Sequence, residues 1–495
     1  MKKLIIGILF CLFANTIVFS QEMAGLVHSN HAGTDVLFFN PAGMHHQKDW
    51  LSIHILTADV FFSTDYLYLA KEDFKFMDLI SGNLNIPYHN TGYSEGQRPF
   101  YIYDRKYDTR FDLGLKMQGP SAMYIKNDHA FGLFTGARSI LHMRNISPEL
   151  GNVIYNGFGY DPQHEETYGL ENFNMSSLTW GEIGISYAYQ WNQLLFSNWS
   201  FGISIKRLFG IGGFYIHANS SDYNVLNDTT LDLYSLEADL AYAMPADYNT
   251  DAFPSGSLIN GKGWGFDLGV EYKELLNRQG KALSTKACAQ KHYDYKYRVG
   301  LSLMDFGWIK FDNNAQLHNY SNTEYTWNRI DTTDYNGWNS LVNEVNNRFY
   351  GTEGTSLKAT KFNMWLPSSL NLNVDYNFEN NIYLDASLVY NLPFSGNFMR
   401  KPSILSLSPR YERKNFEVSM PLSLYQWRYP RVGLAFRFYY LTIGSDYFTS
   451  LLGVHDFNGM DLYFSLKFNL NKGSCTKRNK INPCGDALNK FPWSK

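Results

Sequence analysis

The chain has 495 residues, a formal net charge of -3, 44% hydrophobic and 17% aromatic residues, and only 18% charged residues, where soluble globular domains carry about 25%. A mean hydropathy of -0.31, with no apolar run of about 18 residues beyond the N-terminus, excludes a bundle of transmembrane helices. Sparse Lys and Arg exclude a nucleic-acid partner, whose phosphates demand a basic face.

Residues 1–20 read as a signal peptide. Lys2 and Lys3 precede an apolar stretch from Leu4, and Val18-Phe19-Ser20 before Gln21 forms a cleavage site near Ser20/Gln21. Export of a chain this rich in rings and β-formers predicts the outer membrane of a Gram-negative bacterium, with outer-membrane lipid as its surroundings. Residues 21–49 follow as an N-terminal hatch, or plug, segment. Four histidines fall within it: His28, His31, His45 and His46. Imidazoles at this density are candidate Zn or Cu ligands, but no carboxylate or thiol completes a recognised spacing, so they are read as exposed hatch histidines with no metal.

From 50 to 470 the dominant signal is alternation with period two, which sends successive side chains to opposite faces of a sheet. Trp264, Phe266, Leu268, Val270 and Tyr272 oppose Gly265, Asp267, Gly269, Glu271 and Lys273. Leu370, Leu372, Val374 and Tyr376 oppose Asn371, Asn373 and Asp375, and Leu462, Phe464, Leu466 and Phe468 oppose Asp461, Tyr463, Ser465 and Lys467. Such runs hold for about 9–11 residues, the length of a tilted transmembrane strand and longer than a typical sandwich strand. The predicted fold is all-β: a transmembrane antiparallel β-barrel of about 14 strands (range 12–16). The segments lie at 50–69, 109–126, 128–144, 178–192, 199–217, 231–244, 261–276, 293–311, 362–378, 380–393, 403–413, 415–424, 430–443 and 459–470.

Long inserts at 70–108, 145–177 and 312–361 are rich in Asn, Asp, Gly and Tyr and are read as exposed loops, the last with a short amphipathic helix from Trp338 to Phe349. Short turns do not alternate cleanly along this list. One hairpin is therefore misassigned, and two places qualify. At Tyr439-Tyr440 the apolar phase flips from Phe436 and Phe438 to Leu441 and Ile443, and at Met304-Asp305 the outward phase would put Asp305 in lipid. The side on which 312–361 lies stays open at this stage.

Residues 471–495 form a basic tail expected in the periplasm. Its Cys475 and Cys484 can close a small loop in an oxidising compartment, two free thiols being the alternative.

Several stretches carry a resemblance. Gly33 to Met44 (GTDVLFFNPAGM), with Asn40, Pro41, Ala42 and Gly43 ahead of the first strand, resembles the N-terminal segment of long-chain fatty-acid channel-like barrels. Gln118 to Arg138, Trp180 to Tyr187, Gly265 to Tyr272, Ser302 to Phe311, Pro409-Arg410-Tyr411 and Leu441 to Phe464 resemble an uncharacterised family of Bacteroidota outer-membrane barrels that bears a domain-of-unknown-function label. The resemblance implies location and fold, not activity.

The inward phase collects charges of both signs. Candidate lumen residues are Arg110, Asp112, Lys116, Glu182, Lys206, Asp267, Glu271, Lys296, Arg298, Arg410 and Arg437, joined by Asp375, Asp385, Arg431, Asp461 and Lys467. Such a wall is either water-filled or closed by ion pairs, and it shows no large apolar pocket. No nucleophile motif lies near His54, His129, His142 or His217, so no catalytic residue, cofactor or enzymatic activity is expected. Two functions remain. The first is a scaffold or accessory subunit of an envelope secretion or assembly machine, meeting protein partners through loops or tail. The alternative is a passive channel or transporter for small or amphipathic solutes.

Overall fold

The computed structural model describes residues 23–470 apart from 82–85, 88, 91–96, 104–106, 195–196, 251, 277–283, 287–289, 293, 322–323, 331–336 and 394–398. The stretch expected to be a signal peptide and the tail with Cys475 and Cys484 lie outside the described residues. No described helix is long and apolar enough to cross a membrane; strands make the crossing.

The chain forms a closed antiparallel barrel of 14 strands. In chain order they are β1 (Leu51–Thr64), β2 (Thr109–Gln118 and Ser121–Lys126), β3 (His129–Ile146), β4 (Thr167–Leu194), β5 (Ser197–Asn227) and β6 (Thr230–Ala243 and Gly261–Leu275). Then follow β7 (Tyr295–Phe311 and Ala315–Tyr320), β8 (Leu357–Ala359, Phe362–Trp365 and Ser369–Asn377), β9 (Ile382–Asn391) and β10 (Ile404–Arg413). The last four are β11 (Phe416–Ser419 and Leu422–Tyr425), β12 (Tyr429–Val432 and Leu434–Phe438), β13 (Leu441–Ser445) and β14 (Gly459–Leu470). Closure comes from β1 against β14, paired from Leu51↔Leu470 to Ser63↔Gly459 with one shift of register between His54 and Leu56. Closure leaves no edge, as lipid demands of a sheet.

Alternation works as read. Along Ser369–Asn377 the odd-numbered residues, Asn371, Asn373 and Asp375 among them, are buried, while Leu370, Leu372, Val374 and Tyr376 are exposed to the membrane side. In β14, Asp461, Tyr463, Ser465 and Lys467 are buried inward.

The strand number agrees with expectation, but the division differs at two places. Segments 231–244 and 261–276 are one crossing. Gly213 to Asn227 of β5 pairs with Ala243 to Thr230, and Ser197 to Gly210 of the same strand pairs with Glu274 to Gly261. The insert 244–260 interrupts β6 without turning it. Segment 430–443, conversely, is two strands joined by a hairpin at Tyr439-Tyr440, with Phe438 opposite Leu441 and Tyr439 at φ 50. A two-residue hairpin needs such a left-handed residue, and it accounts for the phase flip. The second suspect, Met304-Asp305, is a bulge: pairing jumps between Phe266 and Leu268, and Asp305 takes φ 57. The extra residue swings Asp305 inward and resets the phase, so that Ile309 and Phe311 are buried while Trp308 is exposed.

The inserts are not all loop. β4 and β5 run 28 and 31 residues, far beyond the ~10 needed to span, and with β6 and the upper part of β7 they build a wall projecting from the membrane. Helix α1 (Pro148–Asn156), capped by the Ser147 hydroxyl, and α2 (Trp338–Tyr350) pack at this end. Trp338 and Val342 of α2 bury against Tyr242 and Tyr248.

The turns at 127–128, 378–381, 414–415 and 439–440 lie at the end where Leu51 and Leu470 meet, together with the long connection 276–294; the opposite end holds the short turns 228–229 and 426–428 and the long connections 65–108, 147–166, 321–356, 392–403 and 446–458. Short turns mark the periplasmic end, which puts 312–361 outside the cell. An epitope inserted between Gly351 and Gly354 should therefore be stained on intact cells. One inserted at Tyr439-Tyr440 should require permeabilisation, and the reverse pattern would overturn this orientation.

Candidate functional site

Residues 23–49 pass through the lumen and almost every one is buried. The segment has little regular structure: a turn of helix at Ala24–Val27 and 3-10 turns at Gly33–Phe38 and Pro41–His46. Its backbone groups must then bond elsewhere. Many bond to the wall. Asp446 accepts from Ala24 N at 2.6 Å, Glu412 from Asn30 N at 3.1 Å, and Arg298 donates to His28 O at 2.6 Å.

The Asn40-Pro41-Ala42-Gly43 stretch shows why those residue types stand together. Asn40 caps the 3-10 turn, its Oδ1 accepting from Ala42 N at 2.9 Å, and Pro41 takes the first position where its missing N–H costs nothing. Asn40 Nδ2 donates to Val270 O of β6 at 3.2 Å. The turn presses on paired wall glycines, Gly202 of β5 opposite Gly269 of β6. A Cβ at Gly202 would collide with the Pro41 and Ala42 backbone, and one at Gly269 with Asn40 Oδ1.

The inner-wall charges are spent on this segment and on each other. Arg298 Nη2 reaches Asp375 at 2.8 Å, Arg410 Nη2 reaches the same carboxylate at 2.6 Å, and Arg410 Nε reaches Glu412 at 3.3 Å. Glu412 also takes Lys48 at 3.2 Å. Arg437 pairs with Glu417 at 2.9 Å, and Ser29 donates to Glu417 at 2.7 Å. Further round the same wall, on β14 and β1, Asp35 of the hatch receives Lys467 at 3.3 Å and Thr57 at 2.9 Å. Lys116 stands over the Phe38 ring at 4.5 Å. Nearer the outer end, Asp112 pairs with His142 and accepts from Tyr425 OH at 2.6 Å. Arg110 donates to Gln426 there at 3.2 Å.

The hatch histidines are not exposed. All four are buried, and each has its own wall or hatch partner: His28 with Asp385 at 3.4 Å, His31 with Asp49 at 2.7 Å, His45 with Ala188 O at 3.2 Å, and His46 with Glu271 at 3.0 Å. Pairing with separate groups leaves no shared metal position among them. Lys296 is also misplaced by the alternation. Pairing shifts between Glu274 and Leu275, whose partners are Tyr297 and Tyr295, so Tyr295 turns into the lumen and Lys296 is left exposed.

One cluster was not assembled from sequence because its centre is the bulged Asp305. Arg138 forks onto Glu182 at 2.7 Å and Asp305 at 2.8 Å, while Lys206 reaches Asp305 at 2.6 Å and Asp267 at 2.7 Å. Just beyond it the lumen wall is apolar: Leu178, Trp180, Leu208, Ile309, Phe311, Met364 and Leu366 pack together inward. Sequence alternation had suggested a wall without such a patch. Part of it became visible only once the bulge reset the phase of β7. Between hatch and wall a narrow cavity of about 20 Å³, room for about one water, is lined by apolar Ala24, Phe39, Val389 and Ile404 and by polar His28, Ser406, Arg431 and Asp446.

Removing one partner of a buried charge cluster costs about 3–5 kcal/mol, because the other charge stays behind in low dielectric. Asp305→Leu should therefore lower the temperature at which the barrel loses its heat-resistant migration on gels. Adding Lys206→Met should recover part of the loss. Equal stability of Asp305→Leu and wild type would contradict the cluster.

Among curated proteins none matches the chain. Similar solved structures include the toluene transporter TodX of P. putida, 13% identical over 92% of this chain and 99% of that one, TM-score 0.42. The Ralstonia pickettii toluene transporter TbuX is 10% identical over 89% and 94%, TM-score 0.40. A Pseudomonas aeruginosa FadL homologue is 10% identical over 92% and 100%, TM-score 0.39. Residues 55–446 match the model of a family of unknown function, DUF5723, and the protein, an outer-membrane-type β-barrel, belongs to that family.

Proposed function

We propose that the protein is a gated, non-enzymatic channel for small or amphipathic solutes, closed by its hatch in the state described. The observation that carries this reading is the nature of the hatch–wall junction. Barrels of about 8 strands fill their interior with side chains, and those of 16–18 leave an aqueous channel. A 14-stranded lumen lies between, and here a separate stretch of chain occupies it. That stretch is held by hydrogen bonds and ion pairs, which water can replace when it moves, by the Asn40–Gly43 turn seated on wall glycines, and by an apolar seam of Leu37, Phe38 and Met44 against Met123, Ile125 and Phe134. Beside it stands the inward apolar patch from Leu178 to Leu366. An ionic seat next to an apolar wall suits a solute with both characters. The scaffold expectation draws on the same wall charges, which the hatch already engages, and on a tail outside the described residues.

Substituting Gly202→Val puts a branched side chain where the Pro41-Ala42 backbone sits, and should displace the hatch without touching a charge. In planar bilayers wild type should be nearly silent at neutral pH and Gly202→Val should conduct. A folded, heat-modifiable Gly202→Val barrel that stays silent would sink the channel reading.

Acid should have a milder effect of the same sign. Burial, then the Arg298 charge and further Lys273, hold the His46 imidazole down at about 4, against the opposing pull of Glu271. Burial in the closed state likewise opposes the Asp35 charge, but His54 and Lys467 outweigh it and hold that carboxyl below its usual range. Docking energy tied to neutral His46 is present above the free imidazole value near 6.5 and is lost as pH falls from there toward 4. That tied to Asp35 is lost further down, below the free carboxyl value near 4. Wild-type conductance should accordingly rise between about pH 6.5 and 4; His46→Gln, which cannot charge, should flatten the upper part of that rise.

A further inference from the structure

The outward face of β5, β6, β7 and β8 carries an arrangement that the hatch and lumen do not use. Trp264, Trp308 and Trp365 stand directly opposite one another on three successive strands, their rings within 5.2 Å for Trp308 and Trp365. A tryptophan row on the lipid side marks a membrane–water interface. Arg207 of β5 flanks it, opposite Trp264, with its guanidinium 4.9 Å from that ring. One outward step nearer the cell exterior, Lys262 stands directly opposite Lys310, and both are exposed. Beyond Asn363, which pairs with Lys310, comes exposed Lys361.

Two lysines opposite each other in an antiparallel ladder repel. The acid near them is Asp312, 3.8 Å from Lys310 and itself more than half exposed. Among the described residues, four cations thus face outward against the Asp312 carboxylate, at the upper edge of the aromatic row. Immediately before Lys262 the insert 244–260 displays Phe253, Leu258 and Ile259, exposed at 60%, 55% and 39%. Apolar side chains beside the cations let this edge contact acyl chains while the ammonium groups reach the polar layer above.

We propose that Arg207, Lys262, Lys310 and Lys361 form a binding site for the phosphates of a phosphorylated glycolipid in the outer leaflet. Basic clusters at the membrane surface recruit anionic headgroups, and a phosphate between Lys262 and Lys310 turns their repulsion into attraction. The inference rests on the orientation of the barrel and not on conduction.

The test uses the full-length barrel in detergent and native mass spectrometry with three probes: diphosphorylated lipid A, its fully dephosphorylated form, and inorganic phosphate. Wild type should retain diphosphorylated lipid A, and at least ten-fold less of the dephosphorylated lipid or free phosphate. Lys262→Glu/Lys310→Glu should lose this retention, and Lys262→Arg/Lys310→Arg should keep it. Equal retention by the wild-type and Glu variants, or no preference for the phosphorylated lipid, would overturn the site. Selective retention of inorganic phosphate would assign it to a free anion and overturn the lipid reading. Heat-modifiable migration of the Glu variant checks its fold, and lysines on an exposed face should leave that unchanged.

Discussion

A strand in lipid has nowhere to send its N–H and C=O groups except to another strand, and everything in this molecule follows from obeying that rule. Obedience forces closure, β1 onto β14. Closure divides the side chains into an outer set that must be apolar and an inner set that lipid never sees. The inner set can then hold charge, but only if each charge is answered, because buried charge without a partner is expensive.

The hatch is how much of that requirement is met here. A barrel of this width could flood its lumen and let water solvate Asp375, Glu412 or Lys467. Instead, residues 23–49 bring donors and acceptors to the wall: Lys48 to Glu412, Asp35 to Lys467, and the His28 carbonyl to Arg298. The hatch in turn depends on the wall, since a chain with so little helix or strand leaves its own backbone unsatisfied. Neither part closes its hydrogen bonds alone.

This mutual dependence explains what was legible in the sequence and what was not. Face assignment was legible wherever pleat alone decides it, as in Ser369–Asn377, where alternate residues match buried and exposed positions throughout. The misassigned hairpin was legible too, since a two-residue turn at Tyr439-Tyr440 must flip the apolar phase. At Asp305 the sequence showed an anomaly, an acid in the outward phase, but not that a bulge causes it; near Lys296 it showed nothing, because a single inserted residue has no compositional mark. At both places the register slips, so Asp305 turns inward and Lys296 stays out. The continuity of β6 across 244–260 was equally hidden, because only the shared neighbour β5 shows that both halves belong to one crossing. Partners were hidden most of all. His46 and Glu271 are 225 positions apart, and period two says which face a residue takes but not what stands opposite it inside.

Ion pairs are an odd choice if the aim is a tight stopper. Apolar residues of similar volume would seal a lumen at least as firmly, since desolvation consumes most of what a buried pair gains. What polar contacts provide is direction: a pair such as Arg298–Asp375 holds only in one geometry, and it can exchange its partner for water without exposing an oily surface. Apolar interlocking is present as well: Trp180, Ile309, Phe311 and Met364 pack within the wall, and Leu37, Phe38 and Met44 of the hatch pack against Met123, Ile125 and Phe134 of β2 and β3. The hatch is therefore joined to the wall by two kinds of contact, directional pairs that water can replace and an apolar seam that it cannot, and moving the hatch has to open both.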